Sequence, residues 1–184
     1  TIERVWESKG CAISEAWFDE NDQPMALNNT YVKIEREFDE AGNVAVERYY
    51  GPDGEKTLSK DGCDEIRREY NDLKQAIRTE YRLNGERMIN TKGYSIVTQE
   101  YDDAGLVERE SYFGLSGEPV YSKSGYHAIE RVWEGKGRAI SEAWFDENDQ
   151  PMTKGNTYVK VEREFDEAGN VIVERYYGVD GEKI

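Results

Sequence analysis

"YVKIEREFDEAGNVAVERYYGPDGEKTLSKDG", residues 31–62, carries two strand signatures around one tight turn. Ile34, Arg36 and Phe38 alternate with Lys33, Glu35 and Glu37, the two-residue period of a pleated strand. "DEAGN" supplies turn residues, and "VAVERYY" at 44–50 alternates again. "GPDG" then breaks the chain, because Pro52 fixes φ and Gly54 accepts positive φ. With Ala41-Gly42 at the turn centre, Phe38 is expected opposite Ala45, Arg36 opposite Glu47, and Ile34 opposite Tyr49. All six then share one face.

The same pattern returns along the chain. Tyr31, Cys63, Tyr94, Tyr126 and Tyr158 begin successive units at spacings of 32, 31, 32 and 32 residues. Residues 1–57 laid on 128–184 match at 47 of 57 positions, and "SEAWFDENDQPM" is spelled at both 14–25 and 141–152. The 184 residues divide into units 1–30, 31–62, 63–93, 94–125, 126–157 and 158–184, one repeat array. Both ends fall inside a unit, as expected of a fragment of a longer array. "DEIRREYNDLKQAIRTEY" at 64–81 is rich in helix formers, yet its place in the array predicts another hairpin.

The facing columns identify the core. The Ile34 place holds Ile2, Ile66, Val97, Ile129 and Val161; the Phe38 place holds Trp6, Tyr70, Tyr101, Trp133 and Phe165. The Tyr49 place holds Trp17, Tyr81, Tyr112, Trp144 and Tyr176, so this is the buried face. A loop place with Met25, Thr57, Met88, Val120 and Met152 is expected to help seal it. One hairpin buries too little surface to stand alone, whereas stacked hairpins share their faces. The expected fold is all-β: a solenoid-like stack of antiparallel β-hairpins from about six 32-residue tandem repeats, with a continuous meander sheet as the alternative. Of the ten differences between the two near-identical segments, Ser8/Gly135 and Cys11/Arg138 fall at the turn, and Ala26, Leu27, Asn28 and Pro52 fall in loops. Core columns hold while connectors vary.

An ionic pair is expected in the middle of the core face: Arg4–Glu15, Arg36–Glu47, Arg131–Glu142 and Arg163–Glu174. Arg68 instead faces Thr79, and Gln99 faces Glu110. A guanidinium among aromatic rings stacks on them while its fork binds a carboxylate. Fixing strand register explains the pair better than a catalytic acid or ligand anchor, because a one-residue slip would turn every aromatic outward.

"EFDEAGNVAVERYYGPDGEK" and "EYDDAGLVERESYFGLSGEP" resemble the YD repeats of bacterial Rhs proteins, with an aromatic–aspartate step followed by spaced glycines. "ERYYGPDGEK" and the "GY" steps at 93–94 and 125–126 also resemble the choline- and glucan-binding hairpin repeats of bacterial cell-surface proteins. The 32-residue unit is longer than is usual in either. Both resemblances imply a bacterial, repetitive, non-catalytic chain at the cell surface or secreted. The second also implies ligand sites between neighbouring repeats.

Composition narrows the function. The net charge of −15 disfavours nucleic acid as a partner, and no apolar run reaches membrane-spanning length. Nor is a signal peptide evident. Cys11 and Cys63 do not form a disulfide framework, and no phosphate loop, serine triad or metal-spaced set occurs. His127 is expected as a solvent-facing strand residue, and "DENDQP" at 19–24 and 146–151 as a plain acidic turn. An enzyme, a cofactor and a metal site are therefore not expected.

Two functions remain. In the first, the array binds cell-envelope carbohydrate, such as cell-wall or surface polysaccharide, or choline-like groups. The candidate ligand residues are the adjacent rings Trp17-Phe18, Tyr49-Tyr50, Tyr112-Phe113, Trp144-Phe145 and Tyr176-Tyr177. Neighbours on a strand point to opposite faces, leaving one ring of each pair for a sugar or a quaternary ammonium. In the second, the array is a structural spacer or shell segment carrying another domain, its contacts being mainly with neighbouring repeats.

Overall fold

The structure, a computed structural model, describes residues 1–7, 10–27, 30–135, 137–153, 155 and 157–184. Ser8 and Asn28, two of the varying positions, lie outside them. The chain is all-β, with hairpins following one another in chain order and every strand pairing antiparallel. It forms two compact units, Thr1–Ser95 and Ile96–Ile184.

The first unit contains β1 (Ile2–Trp6), β2 (Ala12–Trp17), β3 (Lys33–Phe38), β4 (Val44–Tyr50), β5 (Glu65–Tyr70), β6 (Ala76–Leu83) and β7 (Glu86–Arg87). Neighbours in sequence are neighbours in space, and the short β7 returns onto β6. The second unit contains β8 (Ile96–Tyr101), β9 (Val107–Phe113), β10 (Ala128–Trp133), β11 (Ala139–Phe145), β12 (Lys160–Phe165) and β13 (Val171–Tyr177), again in chain order. The helix-prone 64–81 segment is the β5–β6 hairpin. Within a hairpin the ladder runs the length of both strands. Between hairpins it is short: Ser14–Ala16 pair with Lys33–Glu35, and Val46–Arg48 with Glu65–Arg67.

Register agrees with the sequence for Ile34↔Tyr49 and Arg36↔Glu47, but Phe38 faces Val44, not Ala45. The turn is the cause. The Asp39 amide donates to Asn43 O at 2.9 Å, the Gly42 amide donates back to Asp39 O at 3.1 Å, and Gly42 takes φ 82°. A type I turn closed by a left-handed residue leaves one extra residue on the returning strand, a β-bulge. Each of the six hairpins carries it; Trp6 faces Ala12 and Trp133 faces Ala139. Asp39 Oδ1 also accepts the Asn43 amide at 2.8 Å, stiffening the turn. In the β5–β6 turn the left-handed position is Lys74, at φ 63°.

The core sits toward the loop end of the face. Ile66, Ile129 and Val161 are no more than 4% exposed, whereas Trp6, near the turn, is 58% exposed. Its closing ring is the unit-starting tyrosine. Tyr31 lies between Trp17 and Tyr49 at centroid distances of 6.1 and 4.9 Å, and Tyr158 lies between Trp144 and Tyr176 at 5.8 and 4.7 Å. Tyr94 reaches Tyr81, and Tyr126 reaches Tyr112, each at 5.9 Å. Aromatic pairs at such spacings add stability beyond the area they bury. Cys63 fills the tyrosine place in its repeat and is fully buried, 3.2 Å from Ser59 Oγ. Of the loop place, Met25 is exposed, while Thr57, Met88, Val120 and Met152 are half-buried.

His127 is buried, not solvent-facing. Its Nδ1 lies 2.7 Å from Tyr112 O, and its ring meets Phe113 edge-on at 5.2 Å. The residue just after each unit tyrosine turns inward as the loop re-enters the sheet, so Val32, Asp64, Ser95 and Val159 are buried as well.

Candidate functional site

On the core face, the arginines and glutamates form more than isolated pairs. Arg4 Nε donates to Glu15 Oε1 at 2.6 Å, and Arg36 Nη1 of the next hairpin donates to Glu15 Oε2 at 2.7 Å. Arg36 Nε approaches Glu47 Oε1 at 3.4 Å, and Arg68 Nη1 reaches Glu47 Oε2 at 2.7 Å. In the second unit, Arg131 Nε and Arg163 Nη1 converge on Glu142 at 3.3 and 2.7 Å, and Arg163 Nε continues to Glu174 at 2.9 Å. Glu15, Glu47 and Glu142 therefore each serve two hairpins. Gln99 Nε2 still donates to Glu110 Oε2 at 3.0 Å. The Thr79 and Gln99 departures remove one negative and one positive charge, so the ladder stays balanced.

These contacts perturb the charges in the direction expected. Hydrogen bonds from Arg4 and Arg36 hold the Glu15 carboxyl below its ordinary range. Burial pushes Glu142 upward, but Arg163 and Arg131 outweigh it and hold the carboxyl low. Burial likewise works against Arg36, and its bonds to Glu15 and Glu47 raise it nonetheless.

The ten candidate ligand rings separate onto the two faces. Trp17, Tyr49, Tyr112, Trp144 and Tyr176 belong to the core ladder; Tyr49, Tyr112 and Trp144 are buried, and Trp17 and Tyr176 are half-buried. Tyr49 is pushed upward in pKa by that burial. Phe18, Tyr50, Phe113, Phe145 and Tyr177 are half-buried. Most of these carry a neighbour over the ring: Lys33 Nζ lies 5.2 Å from the Tyr50 centroid, Arg109 lies 5.1 Å from that of Phe145, and Lys160 lies 5.3 Å from that of Tyr177. Phe113 meets His127 instead. Tyr177 donates its hydroxyl to Glu162 at 2.7 Å. Burial first, and then the Glu35 hydrogen bond, push Tyr50 up to about 12.

On the opposite face the structure assembles groups that single-hairpin reasoning missed. The Glu65 side chain, 4% exposed, takes Arg48 Nε and Arg67 Nε at 2.7 Å each, with Lys56 and Arg82 just beyond. The Glu80 side chain, 5% exposed, takes Arg78, Arg82 and Arg87 at 2.6 to 3.0 Å. The available signal was the alternation of "EIRREY" and "IRTEYR", which places these glutamates and three of the arginines on one face. Arg109 pairs with both Glu130 and Asp149, the latter in the acidic "DENDQP" turn.

Two shallow grooves share one design. One, of about 400 Å³, runs past Val5, Ile13, Lys33 and Arg48; the other, of about 630 Å³, runs past Val132, Ile140, Lys160 and Arg175, the equivalent residues. Their charges already pair, Lys160 with Glu162 and Arg175 with Glu164 at 2.6 Å each. Among the described residues no group of three or more His, Cys, Asp or Glu side chains is placed to hold a metal ion. No helix among them is long and apolar enough to cross a membrane.

No family model and no curated protein matches the chain. Among solved structures it is similar to a chain of the TcdB2-TccC3-TEV crystal structure, with a TM-score of 0.53 and 16% identity over 100% of this chain and 9% of that one. A chain of the Photorhabdus luminescens Tc holotoxin pore aligns at 0.42 and 14% identity, over 96% of this chain and 10% of that one. A chain of TcdB2-TccC3 aligns at 0.38 and 15%, over 97% and 9%. The likeness to the first is one of fold, and this chain spans about a tenth of its length. The choline- and glucan-binding resemblance gains no support from these alignments.

Proposed function

We propose that this array is a non-catalytic structural segment, a stretch of wall or spacer within a larger bacterial protein that carries or surrounds another domain. The observation behind this reading is the shared-carboxylate ladder. The polar motif that recurs on the core face is spent on joining one hairpin to the next. The half-buried rings of the other face are largely covered by lysine, arginine or histidine from the same array, so little open ring surface is left for a sugar. The fold likeness to a chain of TcdB2-TccC3-TEV, and the YD-like turn skeleton, favour the same role. With it go association with other protein chains of a toxin-like assembly and a secreted or surface location.

The test is a titration of the intact chain with choline and a panel of cell-wall oligosaccharides, followed by tryptophan fluorescence. A wall segment shows no saturable change up to millimolar ligand. Saturable quenching that disappears in Tyr50→Ala and Tyr177→Ala would overturn the proposal and return the carbohydrate-binding reading.

A further inference from the structure

One repeat departs from the rule that governs the face opposite the core. In the other five, the returning strand ends in an aromatic ring bridged to proline or lysine in the loop, as Tyr50 is to Lys56 and Phe113 is to Pro119. In the third repeat Arg82 holds the ring's place and stands directly opposite Arg87. Like charges so placed on a sheet are destabilising, so the stability of the fold does not account for the pair. Glu80 accepts Arg82 Nη1 at 2.6 Å and Arg87 Nε at 3.0 Å, which anchors both guanidiniums on one carboxylate.

Strand register gathers further arginines around this pair. Arg48, Glu65, Arg82 and Arg87 form one row across the strands, and Arg67 and Glu80 lie opposite each other in the next. With Lys56 and Arg78, six cations surround Glu37, Glu65, Glu69 and Glu80, a local positive excess on a chain of net charge −15. Glu65 and Glu80 are buried, whereas the Arg67 side chain is 49% exposed and that of Arg87 is 36% exposed. Arg67 gives its Nε to Glu65, and among the described residues its Nη1 and Nη2 take no acceptor. The second unit shows what an arginine of this face binds. Arg109 holds the place of Arg78, each opposite a glutamate on the neighbouring strand, and it takes Asp149 from an acidic turn.

We propose that this surface of the third repeat docks an acidic segment of a partner polypeptide, with its carboxylates on Arg67 and Arg87. Glu65 and Glu80 act from below, holding the guanidiniums in place so that little side-chain freedom is lost on binding. The planar fork of an arginine matches a carboxylate, and charge-assisted hydrogen bonds of this kind are the strong ones. The exposed Glu37 and Glu69 at the margins, and the acidic chain around them, repel a continuous polyanion such as nucleic acid. Carboxylates spaced along a peptide can straddle those margins. The site rests on its own charges and stands whether or not the array is a wall.

Fluorescence anisotropy of a labelled peptide of alternating aspartate and serine, titrated with the intact chain, tests this. The expected result is saturable binding that weakens as salt is added. Replacing Arg67 and Arg87 together by Ser should weaken it at least about tenfold. That double variant leaves Glu65 on Arg48, and Glu80 on Arg78 and Arg82, and far-ultraviolet circular dichroism checks that it keeps the fold. Arg175→Ser, at the place of Arg48 in the second unit, should leave binding unchanged. No binding at low salt overturns the proposal, as does equal binding by the double variant. Displacement of the peptide by inorganic phosphate at concentrations where acetate has no effect would mean a phosphate site and overturn the choice of partner. So would self-association of the chain, seen by sedimentation velocity and abolished in the double variant, because the occupant would then be a second copy.

Discussion

Replacing Glu142 by Ala isolates the worth of a shared carboxylate. Glu142 accepts Arg131 and Arg163 at 3.3 and 2.7 Å, and its side chain is 20% exposed against 23% for each arginine. A fully exposed pair is worth under about 1 kcal/mol, and breaking a buried one costs roughly 3–5 kcal/mol. At this intermediate burial, with two guanidiniums left without their shared acceptor, the loss should be about 2–3 kcal/mol. Glu174 provides the internal control: it serves Arg163 and Tyr176 within its own hairpin and is 38% exposed. Its replacement by Ala should therefore cost under about 1 kcal/mol. Urea unfolding followed by tryptophan fluorescence gives both values from the same baseline. If the two variants lose stability equally, sharing between hairpins contributes nothing and the ladder is only a row of separate pairs. Restoring stability at Glu142 with Gln would show that hydrogen bonding, not charge, carries the effect.

Acid should act on the same ladder. Glu15 and Glu142 are held below the ordinary carboxylate value, so their contribution is full above about pH 4.3 and is lost as pH falls through their lowered values. The urea midpoint should hold steady down to that point and then drop; a midpoint that rises in acid contradicts the assignment. Cys63 is fully buried with its thiol pushed up by that burial, whereas Cys11 is half-buried, so Ellman's reagent should find one fast thiol in the native chain and a second only on unfolding. Lys74 occupies a left-handed position that is glycine in several sister turns, so Lys74→Gly should stabilise by about 1 kcal/mol, read as a higher thermal midpoint; a lower one would show that its bond to Ala41 O matters more.

The hairpins were legible because alternation and turn residues are local signals, and the array corrected the helix-prone 64–81 segment. The identities of the central pairs followed, since Arg36 and Glu47 are equally spaced from the turn on the two strands. The Phe38↔Val44 shift was not legible from that count, because the left-handed residue at Gly42 adds a residue to one strand only. His127 was misplaced because strand alternation says nothing about a residue in a loop that re-enters the sheet. Burial of Glu65 required arginines from three different strands, which no single hairpin contains. Sharing of Glu15 between Arg4 and Arg36 depends on the joint between hairpins, and no turn sets that register.

That shared joint bears on how such a chain can change length. Glu15, Glu47 and Glu142 each complete their coordination with an arginine one hairpin further on, and the same donor geometry recurs at Arg36, Arg68 and Arg163. A crossover in the coding sequence that joins in phase two repeats carrying both the arginine and the glutamate therefore recreates an intact joint, whereas one that sets Thr79 before an arginine, or Gln99 after a glutamate, does not. A crossover out of phase leaves a glutamate and an arginine stranded on the buried face, each without its counter-ion. The array can grow or shrink by whole units at little energetic cost, and resists every other change in length.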